Sequence, residues 1–233
     1  YYGPRDVAGL ERFIREKIPH YALTDPCAEK WAYSNPGINI VGYILELVTG
    51  KPYAEAMRSL VFEPLAMERT TFDPTIAITY PVAQAHEQVN DETLRVIHRF
   101  ADNVAYYPSG LAMSTALDLA NFALMHLNEG RFHLQAFLRP DTLKEMHRKH
   151  VNLTTISDDG YGLTFFVDNY KGLQRISHYG AIGTFSCQFM VIPQKLAVVM
   201  VNNRLDNFKD VLLVNFIIDR LLELPDKKGI TRK

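Results

Sequence analysis

A few short stretches of this 233-residue chain carry side chains able to do chemistry. Tyr33-Ser34-Asn35 sets a phenol two residues before a carboxamide, and His178-Tyr179-Gly180 sets an imidazole two residues before a glycine. His147 and His150 stand one helical turn apart, a spacing that can share a metal ion. Charged Arg148 and Lys149 lie between those histidines, so that segment reads as a solvated face and no metal is expected. A Y-x-N triplet alone says little, because two fixed residues recur by chance about once in several hundred positions. Without further context, a turn before a helix accounts for it better than a site does. Asn152-Leu153-Thr154 has the form of a glycosylation sequon, an accidental match on this reading. Cys27 and Cys187 are far apart and form no C-x-x-C pattern, so two separate buried thiols are expected.

The elements that must position these groups follow from periodicity and punctuation. Pro4 to Lys17 has helical spacing, with Val7, Leu10, Phe13 and Ile14 on one stripe. Asn35-Pro36-Gly37 opens a second helix with proline in its first turn, and Gly50 ends it by accepting the left-handed conformation. A third helix runs from Pro52 to about Val61, and Glu63 to Ser109 reads as long loops with short elements. Ser114 is the expected N-cap of a helix through Leu127 that closes at Gly130. A short charged helix follows over Asp141 to His150. Tyr161–Asp168, Gln174–Tyr179, Phe185–Ile192 and Leu196–Asn202 read as four strands rich in Val, Ile, Phe and Thr. A last helix, about Asn207 to Leu224, covers one face of their sheet. Helices followed by an antiparallel meander and a covering helix define an α+β architecture. We expect a mainly helical lobe over 1–159 and a sheet with its helix over 160–233.

Bulk properties exclude several classes of partner. The 25 Lys and Arg balance 26 Asp and Glu, so nothing marks the chain for nucleic acid or an anionic surface. No apolar stretch reaches the roughly 20 residues needed to span a bilayer. The chain opens without Met at Tyr1-Tyr2-Gly3-Pro4, as a fragment would.

Context gives Y-x-N its meaning. Tyr33-Ser34-Asn35 runs directly into Pro36-Gly37-Ile38-Asn39-Ile40-Val41-Gly42-Tyr43 and, after Gly50-Lys51-Pro52, into Phe62-Glu63-Pro64-Leu65-Ala66-Met67. Further on come Pro108-Ser109-Gly110-Leu111-Ala112-Met113-Ser114-Thr115-Ala116-Leu117-Asp118-Leu119-Ala120, and His178-Tyr179-Gly180 leading to Val198-Val199-Met200-Val201-Asn202-Asn203. In order and spacing these resemble the Y-x-N region, the P-A-G-G-L-x-S-T-A-x-D-L-A segment and the K-T-G or H-x-G motif of the serine β-lactamase-like superfamily. That superfamily contains class C β-lactamases, penicillin-binding proteins and related esterases. The resemblance implies a β-lactamase/transpeptidase-like α/β sandwich and a serine hydrolase working through an acyl-enzyme, without cofactor. It implies that Tyr33 is the general base or acid and that Asn35 holds the lysine and the substrate amide. The His178 strand flanks the substrate, and the Ala181 N–H is half of the oxyanion hole. Gly180 leaves the backbone free to approach the acyl group. The implied substrate-contacting positions are Tyr179, Tyr107, Ser109 and His86. For Tyr107, with Tyr106, a place in the core is an equal alternative, and His86 reads equally as a surface-loop residue. Trp31 is expected to be a packing anchor.

Three departures qualify that implication. No Ser or Thr in the chain has Lys three positions later, so the S-x-x-K nucleophile is absent, and truncation explains this more simply than loss. Tyr179 stands where the family has a smaller residue, and either points away from the cleft or narrows it. His178 replaces Lys; histidine is only partly charged at pH 7 and holds a carboxylate less firmly, which favours an ester or amide substrate. Strand alternation puts Arg175 on the other face, where it cannot substitute. The expected partners are a small ester, amide or peptide and the missing N-terminal segment, whose absence should leave an exposed sheet edge and an apolar groove. An extracytoplasmic or membrane-associated setting is suggested by the resemblance alone. The rival reading is a non-catalytic binding or scaffold module of the same fold. A metal-dependent hydrolase ranks below both, for want of an H-E-x-x-H signature.

Overall fold

The computed structural model describes residues 2–3, 5–23, 25–26, 30–90, 92–204 and 207–225. The first helix, α1 (Gly9–Arg12), continues through a wider turn over Phe13–Lys17 and a tight one over Ile18–His20. α2 (Asn35–Thr49) starts where Ser34 Oγ accepts the Gly37 N–H at 3.0 Å, with Pro36 in the first turn. It stops at Gly50, whose φ of +66° is costly for residues bearing a Cβ and whose N–H reaches the Glu46 carbonyl. α3 (Tyr53–Met57) runs into a π-helical turn over Arg58–Phe62, and α4 (Pro74–Ala77) is capped by Asp73. Between α4 and the next helix lie a hairpin of β1 (Ala85–Gln88) and β2 (Leu94–Ile97) and a single tight turn over Val104–Tyr106.

α5 (Ala116–Leu127) is capped by Thr115, one residue later than expected. Thr115 Oγ1 accepts the Asp118 N–H at 3.1 Å, whereas the Ser114 hydroxyl is engaged 2.8 Å from Thr70 Oγ1. A small hairpin of β3 (Arg131–Phe132) and β4 (Gln135–Ala136) leads to α6 (Pro140–His147), which ends before His150. The remaining strands are β5 (Val151–Asn152), β6 (Gly160–Tyr161), β7 (Phe166–Tyr170), β8 (Leu173–Ile182), β9 (Phe185–Ile192) and β10 (Leu196–Asn202). They form one antiparallel sheet in the order β10-β9-β8-β7-β6-β5, followed by α7 (Asn207–Leu221). The single strand expected over Tyr161–Asp168 is split into β6 and β7. The chain reverses between them, with Gly162 donating to the Phe165 carbonyl at 2.8 Å.

Burial follows the alternation of the strands. Ile176, Phe189 and Val191 pack with Val167 and Phe165 against Ala123 of α5. Met190 and Ile192 on the opposite face pack against Val214 and Ile218 of α7. A third cluster, including Leu65, Phe72, Tyr107 and Met125, fills the helical lobe. Beyond β9, β10 has no strand partner among the described residues. Val41, Ile44, Leu47 and Val48 leave an exposed apolar stripe on α2, and Leu212, Leu213, Phe216 and Leu221 leave another on α7.

Two close approaches connect the layers. A Cβ on Gly42 of α2 would sit 2.2 Å from Cγ of Pro108, and one on Gly110 would sit 3.0 Å from Cδ1 of Ile182. The 108–110 loop is thus clamped between α2 and the end of β8. Under the sheet, His126 Nδ1 lies 2.9 Å from His147 Nε2 among Phe122, Phe165 and Phe189. His147 therefore pairs with His126, and His150 turns instead to the Glu145 carbonyl at 3.0 Å. Cys187 is a free thiol, its pKa pushed up to about 11 by burial and by Asp210. Cys27 lies outside the described residues.

Two outcomes follow for stability. Gly42→Ala forces the new methyl into the Pro108 ring and should cost about 1–3 kcal/mol by overpacking, read as a lower urea midpoint at unchanged slope. Burial pushes both His126 and His147 below the ordinary 6.5, and the neighbouring His147 lowers His126 further. The folded chain therefore stays neutral there at pH values where the unfolded chain has already bound protons. Stability present above pH 6.5 should be lost as pH falls below it, by up to about 1.4 kcal/mol per pH unit for each histidine. Urea unfolding between pH 7 and pH 5 measures this slope, and His147→Gln should halve the contribution of the pair.

Candidate active site

The outer half of β8 forms the base of the site. Its pairing with β7 ends at Phe166–Ser177, whereas its pairing with β9 continues to Ile182–Phe185. From His178 onward, β8 is paired on one side only among the described residues. The two-residue turn Gly183-Thr184, with Gly183 at φ +60°, makes Ile182 and Phe185 the hydrogen-bonded pair that closes the hairpin. Antiparallel alternation then directs the N–H and C=O groups of Tyr179 and Ala181 toward the open side. Residues 179–181 are solvent-exposed along this edge.

The start of α2 faces that edge. Tyr33, immediately before the Ser34 cap, brings its ring to 6.0 Å from the His178 ring, centroid to centroid. Trp31 packs 5.6 Å from Tyr161 and 6.0 Å from Phe166, and Phe166 lies 5.4 Å from His178. Residues from three regions of the chain thereby form one aromatic cluster around an imidazole. Such ring pairs contribute about 0.5–1.5 kcal/mol each beyond their buried area.

The hydrogen bonds of His178 fix its tautomer. Nδ1 lies 2.7 Å from the Tyr179 carbonyl oxygen, which can only accept, so Nδ1 carries the hydrogen. Nε2 lies 3.1 Å from the Tyr161 hydroxyl. Burial pushes the His178 pKa below 6.5, opposed by the Tyr179 carbonyl, so the ring is neutral at neutral pH and its Nε2 accepts. Burial also pushes the Tyr161 phenol up to about 12, with Tyr33 and Tyr179 adding to the shift, so Tyr161 is the donor.

The other expected site residues divide between this cluster and the scaffold. Asn35 is the first residue of α2, two positions from Tyr33. A Cβ on Gly180 would meet nothing of the chain closer than Cβ of Cys187 at 3.5 Å, so space is open above it. Tyr179 is half-exposed, aligned with Gln188 of β9, and its ring stacks on Phe166 at 5.9 Å with a 16° tilt. Arg175 is on the opposite face from His178, bound to Asp168 and to Asn215 of α7. Ser109 donates to the Tyr106 carbonyl at 3.3 Å beside the Gly110–Ile182 contact. His86 is anchored beyond the end of β10, its N–H donating to the Asn203 carbonyl at 2.8 Å and its Nδ1 lying 3.0 Å from Asn203 Nδ2. Of the two places open to it, Tyr107 takes the core. It is buried, stacks on Phe72 at 4.9 Å and donates to Asp102 at 2.8 Å, because its loop folds into the helical lobe.

Sequence reading missed Tyr161 as a partner of the site, since β6 is only two residues long and nothing local marks it. The density of aromatics between Tyr161 and Tyr179 was the available signal. Among the described residues no three His, Cys, Asp or Glu are grouped to hold a metal. No described helix is long and apolar enough to cross a membrane.

Comparison with known proteins agrees with this fold. A β-lactamase family model matches residues 2–221, and the chain belongs to that family. It is 32% identical over 175 residues to penicillin-binding protein 4 of Amycolatopsis lactamdurans, covering 70% of this chain and 44% of the relative. Its fold is similar to that of the octameric penicillin-binding protein homologue from Pyrococcus abyssi, at TM-score 0.81 and 22% identity, over 95% of this chain and 49% of that one. It is also similar to the D-amino acid amidase from Ochrobactrum anthropi SV3, at TM-score 0.60 and 23% identity, over 89% of this chain and 60% of the other. The chain thus spans less than half the length of the first two. The fold is β-lactamase/transpeptidase-like, an α+β arrangement of helices and antiparallel sheet.

The core position of Tyr107 makes a direct prediction. Tyr107→Phe removes its bond to Asp102 and should lower stability by about 1 kcal/mol in urea unfolding. The His178 and Tyr33 proton NMR signals should be unchanged.

Proposed function

We propose that this chain supplies the proton-transfer and acyl-positioning part of a serine hydrolase that works through an acyl-enzyme on an ester, amide, peptide or β-lactam. The serine and its lysine would come from a segment outside these 233 residues, which hold no S-x-x-K run. The observation that carries this reading is the meeting of Tyr33 and His178, at the mouth of α2 and on the open edge of β8. A carbonyl laid along that edge would find the outward Ala181 N–H, which serves as one oxyanion donor, the serine N–H being the other. Tyr33 would take the serine proton and return it to the leaving group. A phenol of ordinary pKa near 10 needs a neighbouring cation for this, and the lysine of the absent pair would provide it. Asn35 would hold that lysine and the substrate amide, and Gly180 leaves the acyl group room. The edge of β10, which has no strand partner among the described residues, and the apolar stripes on α2 and α7 are surfaces such a segment would cover.

The test is intact mass spectrometry after treatment with a fluorophosphonate, on the protein expressed together with its preceding coding sequence. One adduct on a serine of an S-x-x-K run supports the proposal. No adduct on a folded protein overturns it in favour of a non-catalytic module. In the same longer protein left untreated with the probe, Tyr33→Phe should lower kcat toward a small ester by about 10²–10⁴-fold with KM little changed.

A further inference from the structure

The imidazole at the centre of the site is fully engaged on both nitrogens by groups of this chain. Its Nδ1–H is given to the Tyr179 carbonyl at 2.7 Å and its Nε2 faces the Tyr161 hydroxyl at 3.1 Å. The Tyr161 ring is itself held in place, 4.9 Å from Phe166 at 87° and 5.6 Å from Trp31. An imidazole arranged this way offers an incoming ligand neither a charge nor a spare N–H. A carboxylate placed against it would lose water and gain no charge-assisted bond. A neutral ester or amide needs no such partner, and the surrounding rings of Trp31, Tyr33, Phe166 and Tyr179 present apolar surface to it.

We propose that Tyr161 is a positioning and specificity residue, whose hydroxyl donates to His178 Nε2, locks the ring as the neutral Nδ1–H tautomer and thereby restricts the site to acyl groups without a carboxylate. This rests on the acyl-transfer reading for its meaning in turnover, but the hydrogen-bond device stands or falls without turnover. Losing the Tyr161 hydroxyl would free Nε2. The ring could then take up a proton there and present an N–H to the cleft, so discrimination against carboxylates would weaken. One hydrogen bond of ordinary strength corresponds to about a 3- to 10-fold change in relative affinity.

The experiment uses the chain labelled with ¹⁵N-histidine. Long-range ¹H–¹⁵N correlation spectra assign the tautomer, with His178→Gln identifying the signals. The expected result is a neutral His178 protonated at Nδ1. Titration with dimethyl succinate should shift the His178 signals, and its half-acid monomethyl succinate, whose acyl group carries a free carboxylate, should do so only at higher concentration. Tyr161→Phe should raise the pH at which His178 titrates and narrow the ester-to-acid ratio by about 3- to 10-fold. Since Tyr161→Phe alters the fold by one hydroxyl at most, a merely structural role would leave both readouts in place. A wild-type ring protonated at Nε2, or a wild-type preference for the acid, overturns the proposal even if the variant does not fold. An unchanged ratio in folded Tyr161→Phe overturns it as well. Failure of fluorophosphonate labelling with the tautomer intact would instead count against the acyl-enzyme reading alone.

Discussion

Two absent side chains decide how the layers of this molecule meet. Without a Cβ at Gly42, the Pro108 ring lies directly against α2; without one at Gly110, the same loop accepts the Ile182 side chain from β8. The 2.2 Å approach at Gly42 is far below ordinary carbon contact, so almost any substitution there would push the loop outward. The loop is the spacer between the helix that begins beside Tyr33 and the strand that carries His178. Its contacts at Gly42 and at Ile182 fix how closely that helix and that strand approach through it.

The sheet supplies the second constraint through its uneven edges. The inner half of β8 is paired on both sides and anchored by Ile176, which is fully buried between β7 and β9. Its outer half loses the β7 partner at Ser177, and along that open side the Tyr179 carbonyl accepts from His178 instead of from a neighbouring strand. α5 packs on one face of the sheet and α7 on the other, covering the strand on both sides before it becomes exposed. A free strand edge in a rigid sheet can hold an extended ligand by its backbone while side chains from elsewhere act on it.

Polarity is partitioned in keeping with this arrangement. The strong charges near β8 are held away from the open edge: Arg175 is tied to Asp168 and Asn215 on the α7 face, and Lys171 to Asp219. At the edge itself the polar groups include a neutral imidazole and the Tyr161 phenol, whose ionisation burial disfavours. The same preference for uncharged pairs recurs beneath the sheet at His126 and His147, where aromatic walls leave no compensating charge.

Much of the architecture was legible in the residues. Strands β9 and β10 match their predicted limits because their Val, Ile and Phe runs end at turn residues, and α2 begins and ends at its Asn-Pro-Gly and Gly50 signals. The α5 cap shifted by one residue because Ser114 found a tertiary partner in Thr70, which local sequence does not display. The strand expected across Tyr161–Asp168 broke because Gly162 lies close to the Met146 carbonyl, a contact between segments distant in sequence. The resemblance of the motifs around them to those of the serine β-lactamase-like superfamily also singled out Tyr33 and His178. What the sequence could not decide was which side chains surround them. Tyr107 went to the core, His147 turned to His126, and Tyr161 reached His178. Each of those outcomes depends on the packing distance between elements far apart in the chain, a quantity that exists only once the layers have closed.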